Sequence, residues 1–320
     1  MDSVQKHIFI IGSGAIGKAL AVFLKLAGRK VTVIRGRVKD ACTTTRRIGI
    51  EIQNGVTLEA NVKITTLDSL PMIDGIVVLS NKSFGNEQLA RALKGRTGNS
   101  PIVLLQNGLG IEQSFLDHGY PQLYRCVLFV TSQLINQSNI RFKPVDICPI
   151  GIERGNKDGL ERVVNHLNTP NFRFRSELHL QHIIWKKAII NCVFNSICPL
   201  LEIDNGIFHR SQDALKIARR IIVECINIAT EKGIAIRQDE VETGLLQISQ
   251  LSEGQAISTL QDIRNKRRTE IETLNHEIVG IAEQMHQQDS VRETRLLGEL
   301  IKLKSELTQN IIDTEVIGKL

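Results

Sequence analysis

Hydrophobic residues are arranged in two different ways along this chain, and the arrangement changes near residue 177. Up to that point short unbroken apolar runs recur at residues 7–11, 30–34, 75–80, 101–106, 126–130 and 147–152. Runs of this length, bounded by glycine and polar residues, read as strands buried on both faces. Between the first two, Ala19, Val22, Phe23 and Leu26 keep a helical spacing that stops at Gly28. Alternation of strand and helix predicts an α/β fold with a doubly wound parallel sheet. Residues 124–174 read as further strand and loop punctuated by Gly151, Gly155 and Gly159. The sheet is expected to end in that region, and the strand order across residues 133–177 is left open. After Arg175 long helical patterns take over. We therefore expect a dinucleotide-binding domain over residues 1–176 and a mainly helical domain over residues 177–320.

The helical half opens on Gln181-His-Ile-Ile-Trp-Lys-Lys-Ala-Ile-Ile-Asn-Cys-Val-Phe-Asn-Ser196. A surface helix carries one apolar stripe, whereas this stretch is apolar nearly all round and reads as a buried helix. Lys187, Asn191 and Asn195 recur every fourth residue, so they form one polar ridge on it. Unpaired polar groups in an apolar setting cost roughly 1–3 kcal/mol each. The ridge therefore needs either an internal acidic network or a polar, anionic ligand. Further on, Leu260, Ile263, Ile271, Leu274, Ile278 and Ile281 supply a helical packing seam. Ser258 and Asp262 share a face of that helix, and Glu270 is expected on the same broad side, beside the seam. A carboxylate there requires a cation or a ligand hydroxyl.

The first apolar run stops at Gly12-Ser13-Gly14-Ala15-Ile16-Gly17 and leads into the first helix. A G-x-G-x-x-G motif between strand and helix is a dinucleotide site: its first glycine permits the turn, the second lets a pyrophosphate approach, and the third lets helix and strand pack closely. The helix N-terminus then presents unpaired N–H groups to the phosphates. No carboxylate closes the second strand, where an NAD site would hold the ribose 2′-hydroxyl; Arg35 and Arg37 stand there instead, which favours NADP(H). Ser80-Asn81-Lys82-Ser83 and Gln106-Asn107-Gly108-Leu109-Gly110 follow two core strands, at the edge where such sheets bind ligands. Lys82 and Asn107 are accordingly candidates, against the plainer readings of a surface charge and a turn.

Composition changes little in this picture. With 42% hydrophobic and 23% charged residues among 320, the chain is an ordinary globular protein with room for two domains. The net charge of +6 comes from 40 basic and 34 acidic residues that are mixed along the chain, with few aromatics between them, which argues against a nucleic-acid groove. Six cysteines without a Cys-x-x-Cys pair sit mostly among apolar neighbours and read as small core residues, with no metal site. The N-terminus lacks a leader pattern and no apolar run reaches membrane-spanning length, so a cytoplasmic protein is expected.

Taken together, these spaced motifs resemble the ketopantoate reductase (2-dehydropantoate 2-reductase) family. The resemblance rests on the glycine loop, Asn81-Lys82-Ser83, Gln106-Asn107-Gly108-Leu109-Gly110, Trp185-Lys186-Lys187 with Asn191-Cys192 and Asn195, Asp204-Asn205-Gly206, and Ser258-Thr259-Leu260-Gln261-Asp262 leading to Thr269-Glu270-Ile271. It implies an N-terminal Rossmann domain, a helical C-terminal domain and a substrate cleft between them. It also implies NADPH-dependent reduction of 2-dehydropantoate in pantothenate biosynthesis. Lys187 and Glu270 would be catalytic. Asn107, Asn191, Asn195, Asn205 and Ser258 would line the substrate site. Gly12, Ser13, Gly14, Ala15, Ile16, Gly17, Arg35, Lys82, Asn107 and Glu270 would hold the cofactor. A small 2-keto acid is the expected partner, with no nucleic acid, no membrane and a homodimer left open. Two alternatives stand beside this reading: a reductase of the same fold for another 2-keto acid, and a dinucleotide-sensing protein without turnover.

Overall fold

The computed structural model describes residues 6–36, 41–52 and 55–317, with side chains to residue 309. The chain folds as two compact units. One takes residues up to Asn107 and Ile111–Leu180; the other takes Gly108–Gly110 and the chain from Gln181 onward.

The first unit is built on β1 (Ile8–Ile11), α1 (Ala15–Leu26), β2 (Val31–Arg35), β3 (Thr44–Glu51), β4 (Thr57–Thr66), β5 (Ile76–Leu79), α2 (Asn86–Leu93), β6 (Ile102–Leu104), α3 (Gln113–Asp117), β7 (Leu123–Cys126), β8 (Val130–Leu134), β9 (Asn139–Pro144), β10 (Cys148–Arg154), α4 (Lys157–Leu167) and β11 (Phe174–Ser176). All eleven strands join one sheet in the order β11-β10-β7-β6-β5-β1-β2-β4-β3-β9-β8. The central strands are parallel, and β1 lies between β2 and β5. Because the chain winds outward from β1 in both directions, the carboxyl end of β1 is the switch point at which such sheets bind ligands.

Side chains alternate across a strand, so a run that is apolar at every position must be covered on both faces. That is what the sheet shows. Ile8 and Ile10 join the core around α1 with Val31, Val33 and Val78, while Phe9 and Ile11 join a second core with Val77, Leu79 and Leu104 on the other face.

The structure departs from the sequence reading in two places here. Residues 44–66 form the antiparallel hairpin β3–β4, which the reading omitted although Leu58, Ala60, Val62 and Ile64 alternate with polar neighbours. As expected, the sheet ends in the region after residue 124, which adds β8, β9, β10 and, last, β11. Of these, β8 and β9 leave the β7 side and pair at the far edge, β9 lying parallel to β3. An aromatic cluster accounts for that crossing: Phe142 of β9 meets Phe23 of α1 edge-on at 5.0 Å and Phe172 at 5.0 Å, and Phe172 stacks on Phe174 at 4.8 Å. Residues 157–167, read as loop, are the helix α4, capped by the Asn156 side chain accepting from Gly159 N–H at 2.8 Å. Gly159 punctuates nothing; it lies inside the helix, where a Cβ would collide with the Tyr124 hydroxyl. Of the cysteines, Cys42 is exposed and the other five are buried.

The second unit comprises α5 (Leu180–Leu201), α6 (Ile207–Arg210), α7 (Gln212–Glu231), α8 (Gln238–Leu251), α9 (Ser258–Arg264), α10 (Asn275–Gln284) and α11 (Arg292–Ile317). Its first helix has 22 residues, and an 18-residue window of it reaches a mean hydropathy of 1.2, long and apolar enough to cross a membrane by those measures alone. The expectation that no run reaches that length is thus corrected. That window is 72% buried within the protein, which accounts for its composition. Phe194 packs edge-on against Phe208 of α6 at 5.0 Å, the free Cys192 thiol is in hydrogen-bond contact with the Cys225 thiol of α7, and Gly244 of α8 lies close to Ile190.

One buried ionic group in the first unit has a consequence for stability. Arg125 of β7 is only 3% exposed and pairs with Glu112. In β10 the register slips between Ile152 and Arg154, so Glu153 occupies an irregularity of the ladder, the kind of feature that re-aims a side chain. Its carboxyl is pushed up to about 7, first by burial and then by the Glu112 carboxylate, with Arg125 opposing. Folding therefore favours the protonated form. The stabilisation is full below the ordinary value of 4.5 and is lost as pH rises through about 7. Glu153→Gln is expected to match the wild type near pH 4.5 and exceed it by about 1–3 kcal/mol at pH 8. Urea unfolding at the two pH values checks this; an equal offset at both would refute it.

Candidate functional site

At the carboxyl end of β1 the chain must turn at once into α1, and the glycine loop makes that possible. Gly12 adopts φ +120, and a Cβ there would crowd Asn81 N and Ser80 Oγ. A Cβ at Gly17 would collide with the Gly12 carbonyl oxygen and Ser80 Oγ. Gly14, the N-cap of α1, has nothing near its missing Cβ. Two glycines are thus closed against the protein and the middle one faces open space. That open face, beside a helix N-terminus with no side-chain cap, suits a phosphate approaching the backbone. Ser13, Ala15 and Ile16 complete the turn. Ser80, at the end of β5, ties the loop down by donating to Gly12 O at 3.1 Å.

Arg35 ends β2, half-buried, and donates to Cys42 O at 3.4 Å. Together with Ser13, Lys18, Thr44, Arg46, Ile48, Ile64, Gln137 and Ser138 it lines a cavity of about 120 Å³. Lys18, Arg46 and the two hairpin residues were not singled out from the sequence. They lie on α1, β3 and the β8–β9 loop, too far apart along the chain for spacing to reveal them. Arg37 lies outside the described residues.

Lys82 is half-buried at the start of a short 3-10 turn after β5. Asn107 is half-buried after β6. The preceding Gln106 is locked by a reciprocal amide pair with Asn86, at 2.9 and 2.8 Å, and Asn86 also donates to Ile111 O at 2.8 Å. These bonds hold the Asn107 turn from behind. Beyond Asn107, the next three residues pack with the second unit: Leu109 N–H donates to Thr273 O at 2.7 Å, and Gly108, at φ +109, fits against Thr273 where a Cβ could not.

In the second unit α5 carries Lys187, Asn191 and Asn195 along one side, the first two half-buried and Asn195 only 3% exposed. Asn195 Nδ2 donates to Asn191 O at 2.9 Å, which leaves its carbonyl to accept the Ser258 hydroxyl at 3.5 Å. The neighbouring Lys186 has a different fate: its ammonium pairs with Glu240 of α8 at 2.6 Å. That ion pair also holds the Glu240 carboxyl below its ordinary range. Two adjacent lysines are thereby assigned to different surroundings by helix geometry.

Asn205 is buried, donates through Nδ2 to Ser252 Oγ at 3.2 Å, and leaves its Oδ1 without a hydrogen-bond partner. Its neighbour Asp204 is structural. The carboxylate accepts from Gly206 N–H at 2.7 Å, Gly254 N–H at 3.2 Å and Arg210 at 2.8 Å, and the arginine bond leads in holding it down to about 2.

Glu270 does not share a helix with Ser258 and Asp262. Helix α9 ends at Arg264 because Lys266 takes φ 54. Lys266 N–H then bonds to Ile263 O at 2.9 Å and Arg267 N–H to Asp262 O at 2.8 Å, the paired bonds that close a helix at a left-handed residue. Glu270 instead begins a 3-10 turn, half-buried, its carbonyl accepting from Thr273. On α9 itself Ser258 is exposed and Asp262 is buried. The expected seam holds regardless, since Leu260, Ile263, Ile271, Leu274, Ile278 and Ile281 are all at most 9% exposed.

Comparison with known proteins meets both units. The family described as ketopantoate reductase PanE/ApbA matches residues 8–151, and its C-terminal counterpart matches residues 179–304. The 2-dehydropantoate 2-reductase of Pyrococcus horikoshii is 28% identical over 306 residues, 94% of this chain and 98% of that protein. That of Halobacterium salinarum is 24% identical over 303 residues, covering 93% and 98%. Among solved structures, a PanE/ApbA family ketopantoate reductase from Ralstonia eutropha superposes with a TM-score of 0.82 at 21% identity, covering 95% of this chain and 99% of that one. A D-mandelate dehydrogenase bound to NADH and anilino(oxo)acetate does so with 0.81 at 20%, covering 94% and 99%. The structural likenesses speak for the fold, and the matched sequence speaks for descent: with its sheet-bearing and helical parts both recognised, this chain belongs to the ketopantoate reductase family of oxidoreductases.

Proposed function

We propose that this protein reduces a 2-keto acid with NADPH, and that the substrate is 2-dehydropantoate. The observation that carries the reading is the α5 ridge. Lys187 lies in line with two amides, one of them joined to Ser258, while the adjacent Lys186 is neutralised by Glu240. An ammonium among amide and hydroxyl groups suits a carboxylate-bearing, oxygen-rich substrate. The glycine loop supports the cofactor, since its closed first and third glycines and open second one leave a cradle at the α1 N-terminus. Arg35 and the absence of a carboxylate at the end of β2 support NADPH over NADH.

A nicotinamide dinucleotide, when bound, supplies the hydride for carbonyl reduction. The chain supplies the rest. Gly12, Ser13, Gly14, Ala15, Ile16 and Gly17 hold the phosphates, Arg35 the 2′-phosphate, and Lys82 and Asn107 further parts of the cofactor. Lys187 stabilises the oxygen that becomes an alkoxide and delivers its proton. Asn107, Asn191, Asn195, Asn205 and Ser258 orient the substrate, and Glu270 accepts from its hydroxyl. A 2-keto acid without that hydroxyl would leave the Glu270 carboxylate unsatisfied and react poorly.

Lys187→Ala is expected to lower kcat by about 10² or more while cofactor binding persists. Lys186→Ala, which loses only the Glu240 pair, serves as the comparison. Steady-state NADPH oxidation with 2-dehydropantoate checks both; equal effects would remove Lys187 from the chemistry. Arg35→Asp should weaken NADPH at least about tenfold and leave NADH nearly unchanged, as read by calorimetry.

A further inference from the structure

The cavity beside the glycine loop is more strongly charged than a single arginine would make it. Lys18 from α1, Arg35 from β2 and Arg46 from β3 converge on about 120 Å³, and no carboxylate stands among its described lining residues. The acids nearest along the strands are engaged elsewhere: Glu59 pairs with Arg47 and Glu51 with Arg141. Alternation on β3 explains the sorting, since Thr44, Arg46 and Ile48 lie on the cavity side while Arg47 lies on the other. Ile48 and Ile64 are buried and add apolar wall, which lowers the local dielectric and strengthens each ionic contact. The Lys18 ammonium is held in place by donating to Gln137 O at 2.7 Å, which leaves two of its three donor hydrogens for a ligand. Burial, and then the charge of Arg46, lower the Lys18 pKa, which places the two cations within reach of each other's field. A volume of about 120 Å³ has room for a phosphate group.

We propose that Lys18 and Arg46 are cofactor-specificity residues, which with Arg35 and the Gln137–Ser138 turn form a cage for the phosphomonoester on the adenosine ribose of the cofactor. This rests on the dinucleotide reading of the glycine loop, because Ser13 of that loop shares the cavity wall. Cage closure requires the β8–β9 hairpin at the β3 edge, which gives the long crossover a role in recognition. The selected chemistry is a dianionic phosphate ester, not a free hydroxyl.

The test uses the full chain and titration calorimetry with two probes, adenosine 2′,5′-bisphosphate and adenosine 5′-monophosphate. The wild type should bind the bisphosphate at least about tenfold more tightly. Arg46→Ala and Lys18→Met should each erase most of that advantage and leave the monophosphate unchanged; Lys18→Arg should restore part of it. Arg46 is exposed, so its variant should keep the wild-type melting temperature. Variants that retain the full advantage would overturn the cage while leaving the dinucleotide reading in place. A wild type without any advantage would overturn the phosphate selectivity itself. Failure of the wild type to bind either probe, NADPH or NADH would bring down the dinucleotide reading as well.

Discussion

The first unit depends on a close approach that only glycine allows. Without a side chain at Gly17, α1 settles against the Gly12 carbonyl and the Ser80 hydroxyl, so that helix, first strand and β5 loop meet at one point. The N–H groups of α1 are then left uncapped at the sheet's switch point, where their dipole adds to an open backbone. The neighbouring loops of this unit are arranged around that turn. Ser13 connects it to the cation-lined cavity, and Ser80 connects it to the loop that carries Lys82.

In the second unit the governing constraint is the cost of polar groups on a buried helix. Helix α5 has too much apolar surface to stand in water, and its contacts with α6, α7 and α8 cover it. Each polar residue on it then needs an account. Lys186 is satisfied by Glu240, Ser196 by donating back to Cys192 O at 2.6 Å, and Asn195 by Asn191 and Ser258. Within the ridge Asn195 is fixed on two sides, by the Asn191 carbonyl and by the Ser258 hydroxyl.

Much of this was legible in the chain. The strand, glycine turn and helix of residues 8–26 and the buried helix of residues 180–201 each combine a periodic pattern with a definite terminator or composition, and both reappear in the structure. The lost parts share a physical reason. Helix α9 stops at Lys266, a residue with no special preference for the left-handed conformation, so nothing in the sequence marks the break that moves Glu270 off the helix. Helix α4 contains a glycine whose presence reflects the Tyr124 hydroxyl packed against it rather than a turn. The cavity is assembled from Lys18, Arg35, Arg46 and Gln137, and tertiary packing alone brings them together.

The path of the β8–β9 hairpin bears on how the first unit is made. Glu51 of β3 and Arg141 of β9, which pair across those two neighbouring strands, stand 90 positions apart in the chain. During synthesis β3 must wait as an unfinished edge until the hairpin emerges, and contacts of such separation are costly in loop entropy and slow to form. An exposed edge strand is a template for association with other chains. Arg46 and Arg47 on β3 supply the charge that discourages such pairing during this interval. The same strand that borders the cation-lined cavity in the finished protein thus guards the nascent one against aggregation.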